Sequence, residues 1–197
     1  MRALLHLACG LPMLVLAVGY LRHTLGVDPE KSILWETGIW AFNLLILVLA
    51  LPHAARWARW SALIRYRRAM GLWAFAYINC HLLAFVTFLL AWDVYRLGEE
   101  ILERPYILVG FSAWLTLVPL AITSTRGWIQ RLGTRWKRLH SAVYIALALA
   151  AVHYFLPVRS DYAWAGSYAL IAIVLLVSRW LTGKRAKTAA MRSQAPH

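Results

Sequence analysis

Six runs of apolar residues, near 3–21, 33–51, 69–91, 106–125, 139–157 and 163–181, are separated by shorter polar segments. Each is about 19 residues or longer, against the roughly 20 that a helix rising 1.5 Å per residue needs to cross ~30 Å of hydrocarbon. A spanning strand needs only about 10 residues and alternates strictly, so these runs predict helices. Arg2 ahead of the first run gives it the outline of a secretion signal. It lacks a small-residue cleavage pattern and is assigned as a span. Connections of about 5–17 residues make consecutive helices antiparallel neighbours. The expected fold is all-α: a polytopic six-helix transmembrane bundle over residues 1–183, with a polar cytoplasmic tail at 184–197 expected to lack fixed structure.

Composition strengthens this picture. Of 197 residues, 61% are hydrophobic and 15% charged, too little polar surface to coat a soluble globule. Of the 11 Trp, Trp35, Trp57, Trp60, Trp92, Trp128, Trp136, Trp164 and Trp180 fall at or near span ends, where the ring meets both lipid and water. The net charge of +13 is read gap by gap. With the N-terminus cytoplasmic, sixteen of the 21 Lys and Arg fall on the inner side: Arg2 and five each in clusters at 56–68, 126–138 and 179–192. All 8 acidic residues fall on the outer half. This asymmetry predicts that both termini are cytoplasmic, and it accounts for the basic excess through topology and anionic lipid, excluding nucleic-acid binding. Cys9 and Cys80 form no CxxC or CxxCH motif. There is no Walker A or GxGxxG, so any chemistry uses the bundle itself or a separate protein.

Of the 7 His, His6, His53, His81, His140 and His153 lie in or beside spans, where an ionisable side chain is expensive and faces the bundle interior. Spans three and five run in the same direction. By helical rise His81 lies ~18 Å and His153 ~21 Å from the start of its span, so their depths match. His140 lies only ~1.5 Å into span five, where span three offers Arg67. Two levels ~20 Å apart suit two flat cofactors such as bis-histidine haem. They also suit buried structural histidines, and the rotational arithmetic is divided. Arg67 and His81 lie about 40° apart on an ideal helix, but His140 and His153 about 140°. Spacing alone leaves both readings open, as well as a cofactor-free scaffold or small transporter.

Residues 67–85 read RRAMGLWAFAYINCHLLAF, residues 104–125 RPYILVGFSAWLTLVPLAITST, and residues 132–154 LGTRWKRLHSAVYIALALAAVHY. With LLHLACGLP near the start and TGIW at 37–40, these segments resemble the MsrQ (YedZ) family, within the ferric-reductase-like transmembrane group. Such proteins are haem-binding membrane subunits of the bacterial protein-methionine-sulfoxide reductase system. The resemblance implies an inner-membrane electron carrier without a substrate-turnover site of its own. It would pass electrons from a cytosolic flavin reductase or quinol, through haem b, to the periplasmic molybdopterin subunit MsrP, for repair of oxidised envelope proteins. The family's haem histidines fall on His81, His140 and His153. His81 and His153 would hold an outer haem. His140 would hold an inner one, whose second ligand stays open between Arg67, His6 and water. One or two haems are implied. FMN is associated with the family, though no flavin fingerprint is visible here. A related b-type cytochrome serving another acceptor would share the same ligands. TGIWAF lacks the basic residue that some relatives carry at the start of this span.

Overall fold

The computed structural model describes the backbone of residues 2–160 and 162–193, with side chains as far as Lys184. Its helices are α1 (Arg2–Leu21), α2 (Pro29–Trp57), α3 (Arg67–Ala84), α4 (Val94–Glu103), α5 (Pro105–Ile122), α6 (Arg126–Leu132), α7 (Thr134–His140), α8 (Val143–Phe155) and α9 (Tyr162–Ser193). A 3-10 turn at Ser61–Tyr66 leads into α3, and a π turn at Phe85–Leu89 follows it. Among the described residues six segments are long and apolar enough to span a bilayer: Arg2–Leu21, Pro29–Trp57, Ser61–Leu89, Pro105–Ile122, Thr134–Phe155 and Tyr162–Lys184. These match the six expected runs, and the chain is a multi-pass all-helical membrane protein.

The edges differ from expectation for local reasons. The second span starts at Pro29 rather than 33, because Asp28 caps it. Its carboxylate accepts the Lys31 N–H at 3.1 Å, and Pro29 occupies the first helical position, where a missing N–H costs nothing. Ala91 and Trp92 then turn the chain with positive φ (50° and 67°) into α4, a helix within the polar connection between the third and fourth apolar runs. Asp93 caps α4 by accepting from the N–H groups of Tyr95 (3.0 Å) and Arg96 (3.1 Å). Gly133, at φ +50°, ψ −122°, separates α6 from α7 in a backbone conformation that suits glycine. Where irregular chain is expected from Lys184, the backbone stays helical to Ser193. The stretch KRAKTAAMRS is rich in good helix formers and extends a helix already nucleated within the span. Residues 194–197, the rest of the expected tail, lie outside the described residues.

The bundle is organised around α2. On one side Phe42, Leu45 and Leu49 pack against Leu117 and Leu120 of α5, Val143, Ala146 and Leu147 of α8, and Ala172 and Leu175 of α9. On the other, Ala41 and Leu44 pack with Cys9 of α1 and with Ala74 and Tyr77 of α3. The outward faces of α1 and α9 present Leu4, Leu7, Leu11, Leu14, Leu170, Ile173 and Val174. Such faces are stable in lipid, where helix association draws on close packing and interhelical hydrogen bonds rather than on apolar burial from water. Tyr168 donates to Asn43 Oδ1 (2.8 Å), and Trp114 Nε1 donates to Asn79 Oδ1 (3.2 Å). Bonds of this kind contribute about 0.6 kcal/mol each in a membrane.

The two most closely packed pairs are α2 with α3 and α5 with α8. The starts of α2 and α5 and the ends of α3 and α8 share one end of the bundle with α4. The acidic residues Glu99, Glu100 and Glu103 lie there. The opposite end holds α6, α7 and their cations. Arg131 stacks over Trp128 (5.7 Å to the ring centroid), and Arg179 over Tyr144 (5.4 Å). Such pairs suit a membrane boundary, where the ring is half in lipid and the charge reaches water.

Candidate functional site

α3 and α8 run parallel to each other in the bundle and carry His81 and His153 near the α4 end. The two imidazoles face one another with ring centroids 6.1 Å apart and planes at 81°. Neither ring is free to turn. His81 Nδ1 lies 2.9 Å from the carbonyl oxygen of Leu34 on α2, and His153 Nδ1 lies 2.6 Å from the carbonyl oxygen of Tyr106 on α5. A carbonyl only accepts, so each Nδ1 carries the proton and donates it. In a neutral imidazole that leaves Nε2 as a bare lone pair, the form that ligates a metal. A backbone carbonyl behind the ring is also the usual outer partner of a ligating histidine, where it sets the tautomer and raises ligand basicity.

The ring separation also suits one metal ion shared between the two imidazoles. With metal–imidazole bonds of about 2.0 Å, two rings sharing one ion have centroids about 6.3 Å apart. The observed 6.1 Å agrees. Two neutral imidazoles on neighbouring helices form the donor set of a bis-histidine haem iron. Among the described residues no group of three or more His, Cys, Asp or Glu forms a metal cluster. Two imidazoles alone are a partial donor set, which a haem iron would complete with its porphyrin.

His140 sits elsewhere, in the last turn of α7 at the basic end. Its ring stacks on Trp136 (centroids 4.0 Å, planes 25°), and its Nε2 lies 3.0 Å from Thr123 Oγ1. The Thr123 hydroxyl donates to the Pro119 carbonyl at 2.6 Å, and Trp136 Nε1 donates to the Thr123 carbonyl at 2.9 Å. Having one proton, already given to Pro119, the hydroxyl accepts from His140 Nε2–H, which leaves Nδ1 as the lone-pair nitrogen of the neutral ring. Arg67 begins α3 and lies within electrostatic reach of His140. No hydrogen bond joins the two among the described residues. His6 belongs to a different contact, accepting Trp73 Nε1–H on Nδ1 at 2.9 Å. His53 has both ring nitrogens engaged: it accepts from Arg56 Nη2 at 3.0 Å and faces Ser178 Oγ at 3.2 Å.

The structure thus brings His81 and His153 together and keeps His140 and Arg67 at the other end. Sequence reasoning missed the Leu34 and Tyr106 carbonyls and the Thr123–Trp136 setting of His140. Backbone acceptors carry no residue signature. A rule that every intramembrane histidine needs a partner on a neighbouring helix would have pointed to them.

The family described as ferric reductase like transmembrane component matches residues 37–151. Among curated relatives, a protein-methionine-sulfoxide reductase heme-binding subunit MsrQ from Xanthomonas euvesicatoria pv. vesicatoria (strain 85-10) is 44% identical over 173 residues, covering 87% of this chain and 79% of the relative. The protein of the same name from Caulobacter vibrioides (strain ATCC 19089 / CIP 103742 / CB 15) is 39% identical over 183 residues, covering 92% of this chain and 87% of the relative. No solved structure matches the chain.

Proposed function

Because this chain belongs to the MsrQ family and to the ferric-reductase-like transmembrane proteins, we propose that it is a haem b electron-transfer subunit of a methionine-sulfoxide reductase system. The observation that carries the reading is the facing pair His81 and His153, each with Nδ1 tied to a backbone carbonyl and Nε2 left bare. Haem bound there supplies a one-electron carrier within the bilayer. The protein's part would be to hold two basic imidazoles facing one another, His81 and His153, and to exclude water with the apolar faces of α2, α3, α5 and α8. His140, steadied by Thr123 and Trp136, is assigned as a ligand of a second, inner haem at the basic end, with Arg67 nearby to pair a propionate or complete the site.

The charge asymmetry supports cytoplasmic termini in a bacterial inner membrane and a periplasmic α4 end. Electrons then enter at the basic end, from a cytosolic flavin reductase or quinol, with FMN as an associated cofactor. They leave at the α4 end toward the periplasmic molybdopterin partner MsrP. The Tyr106 ring, 6.4 Å from His153, leads from the histidine pair toward Arg104, whose Nη1 donates to the Tyr106 hydroxyl at 3.3 Å.

The deciding experiment is visible spectroscopy of the protein purified with hemin supplied during expression, titrated with reductant. A Soret band and reduced-minus-oxidised α band of b type are expected. His81→Ala and His153→Ala are expected to alter them together, and reduction of the purified partner should require the pigmented form. A colourless wild-type protein refutes the proposal. Full delivery of electrons to a ferric or quinone acceptor, with none to the partner, would retain the haem and move the protein to another acceptor.

A further inference from the structure

The histidine pair is built twice over. Leu34, Gly38 and His81 recur as Tyr106, Gly110 and His153, each shifted by one interval of 72 residues. In both halves the imidazole lies 47 residues after the carbonyl it bonds. In both, a glycine one helical turn beyond that carbonyl lies against the ring. A Cβ built on Gly38 would stand 3.0 Å from His81 Nδ1 and 3.1 Å from Cε1. A Cβ on Gly110 would stand 2.6 Å from both Nδ1 and Cε1 of His153. Neither ring has a flexible end that could swing aside, because each is held by its own hydrogen bond. Glycine is a poorer helix former than alanine, so two mid-helix glycines at equivalent places have a packing reason, the close approach of a group to the helix backbone. Gly71 on α3 provides the contrast: its built Cβ meets nothing closer than Val48 Cγ2 at 4.0 Å.

We infer that Gly38 and Gly110 are positioning residues for the two facing imidazoles: the missing side chain lets each ring settle on the neighbouring helix and donate Nδ1–H to the carbonyl one turn earlier. This rests on the bis-histidine reading above. A methyl group at either position pushes the ring off its acceptor. A ligating histidine that loses this outer bond is less basic, so it stabilises the ferric state less and binds more weakly. The contact distances rank the two positions. At Gly38 the neighbour yields by a few tenths of an ångström, and at Gly110 the ring has to move.

The test compares full-length wild type, Gly71→Ala, Gly38→Ala and Gly110→Ala, all purified with hemin supplied. Haem per chain, midpoint potential, the low-spin ferric electron paramagnetic resonance signal and helicity are measured. Gly71→Ala should match wild type throughout. Gly38→Ala should keep its haem with a raised midpoint and an altered ferric signal. Gly110→Ala should show the larger rise, accompanied by a loss of haem affinity of about tenfold or more, at unchanged helicity. A tenfold change in relative ferric and ferrous binding moves a one-electron midpoint by about 59 mV. Unaltered potentials and signals in both Gly38→Ala and Gly110→Ala overturn the inference. So does reduced occupancy at an unchanged potential, which marks a merely structural role. If Gly110→Ala does not fold, Gly38→Ala decides by the same criteria. A colourless wild type instead overturns the haem reading itself, and this inference with it.

Discussion

Replacing Tyr77 with Phe probes what fixes α1 to the helix that carries His81. Tyr77 is fully buried. Its hydroxyl donates to the Cys9 carbonyl at 2.8 Å and accepts the Met13 N–H at 3.0 Å. Those two backbone groups, four residues apart, are the pair that an ordinary helix joins directly. The hydroxyl is seated at that pair beside Pro12, a residue that already withholds one donor from α1. Phe keeps the ring with its stacking on Trp40 (6.4 Å) and its tilted contact with Trp73 (6.4 Å), so the change isolates the hydroxyl. If Cys9 and Met13 relax fully onto each other, two hydrogen bonds are exchanged for one, a net loss of about 0.6 kcal/mol. If they stay apart, a buried unsatisfied group costs ~1–3 kcal/mol. Since Pro12 resists straightening of this turn, the expected destabilisation is about 1–2 kcal/mol. Reversible unfolding in mixed detergent, followed by Trp fluorescence and circular dichroism, measures it. Haem content should be unaffected, because His81 keeps its own bond to Leu34. A change below about 0.3 kcal/mol, with wild-type cooperativity, would show that the hydroxyl contributes nothing net to holding α1.

The other expected outcomes concern the site. His81→Ala and His153→Ala should each abolish the same low-spin haem signal, whereas His140→Ala should remove a different fraction of the pigment; identical spectra for all three would contradict two levels. With imidazole planes at 81°, each ring's π orbital acts on a different iron d orbital, so the ferric His81–His153 centre should give a highly anisotropic low-spin signal. An ordinary rhombic signal would mean that the planes turn toward parallel on binding. Thr123→Val, which removes the acceptor of His140 Nε2, should perturb only the His140-dependent part of the spectrum in redox titration. Charge reversal at Glu99, Glu100 and Glu103 should slow electron delivery to a periplasmic partner and make it less salt-sensitive, and unimpaired delivery would exclude an electrostatic role for α4.

How far the sequence reached depended on which forces write themselves into side chains. The six spans were legible because lipid demands some twenty apolar residues in every crossing. α4 was not, since its ten residues VYRLGEEILE include four charges and read as a loop. Its start depends on the Asp93 cap and on the positive-φ turn at Ala91 and Trp92. Matching His81 to His153 needed only helical rise. The 140° discrepancy between His140 and His153 arose from treating one span as one helix. α7 ends at His140 and α8 begins at Val143, so the angular increment does not carry across Ser141 and Ala142. The carbonyls behind the histidines stayed hidden because any residue could supply them. Gly38 and Gly110 were visible letters whose meaning required the neighbouring helix.

The arrangement also explains why the proposed ligands would stand on α3 and α8 and not on the outer helices. Among the described residues α1 buries only Cys9 and Gly19, so a cofactor held by α1 would face lipid on one side and could tilt with it. α3 and α8 are each backed by a closely packed partner that begins at the same end of the bundle. An imidazole on either can therefore bond a carbonyl in the first turns of α2 or α5, where helix N-termini are fixed by Asp28 with Pro29 and by Pro105. The rigid elements that fix the His81 and His153 rings are thus the same ones that would seal a cofactor there from water. From Arg67 to His81 the helix rises about 21 Å, and this length separates a basic end from an end whose short helix is acidic. An electron carrier seated at the His81–His153 level lies close to one face only. The stacked and hydrogen-bonded His140 stands where the other face would have to be served.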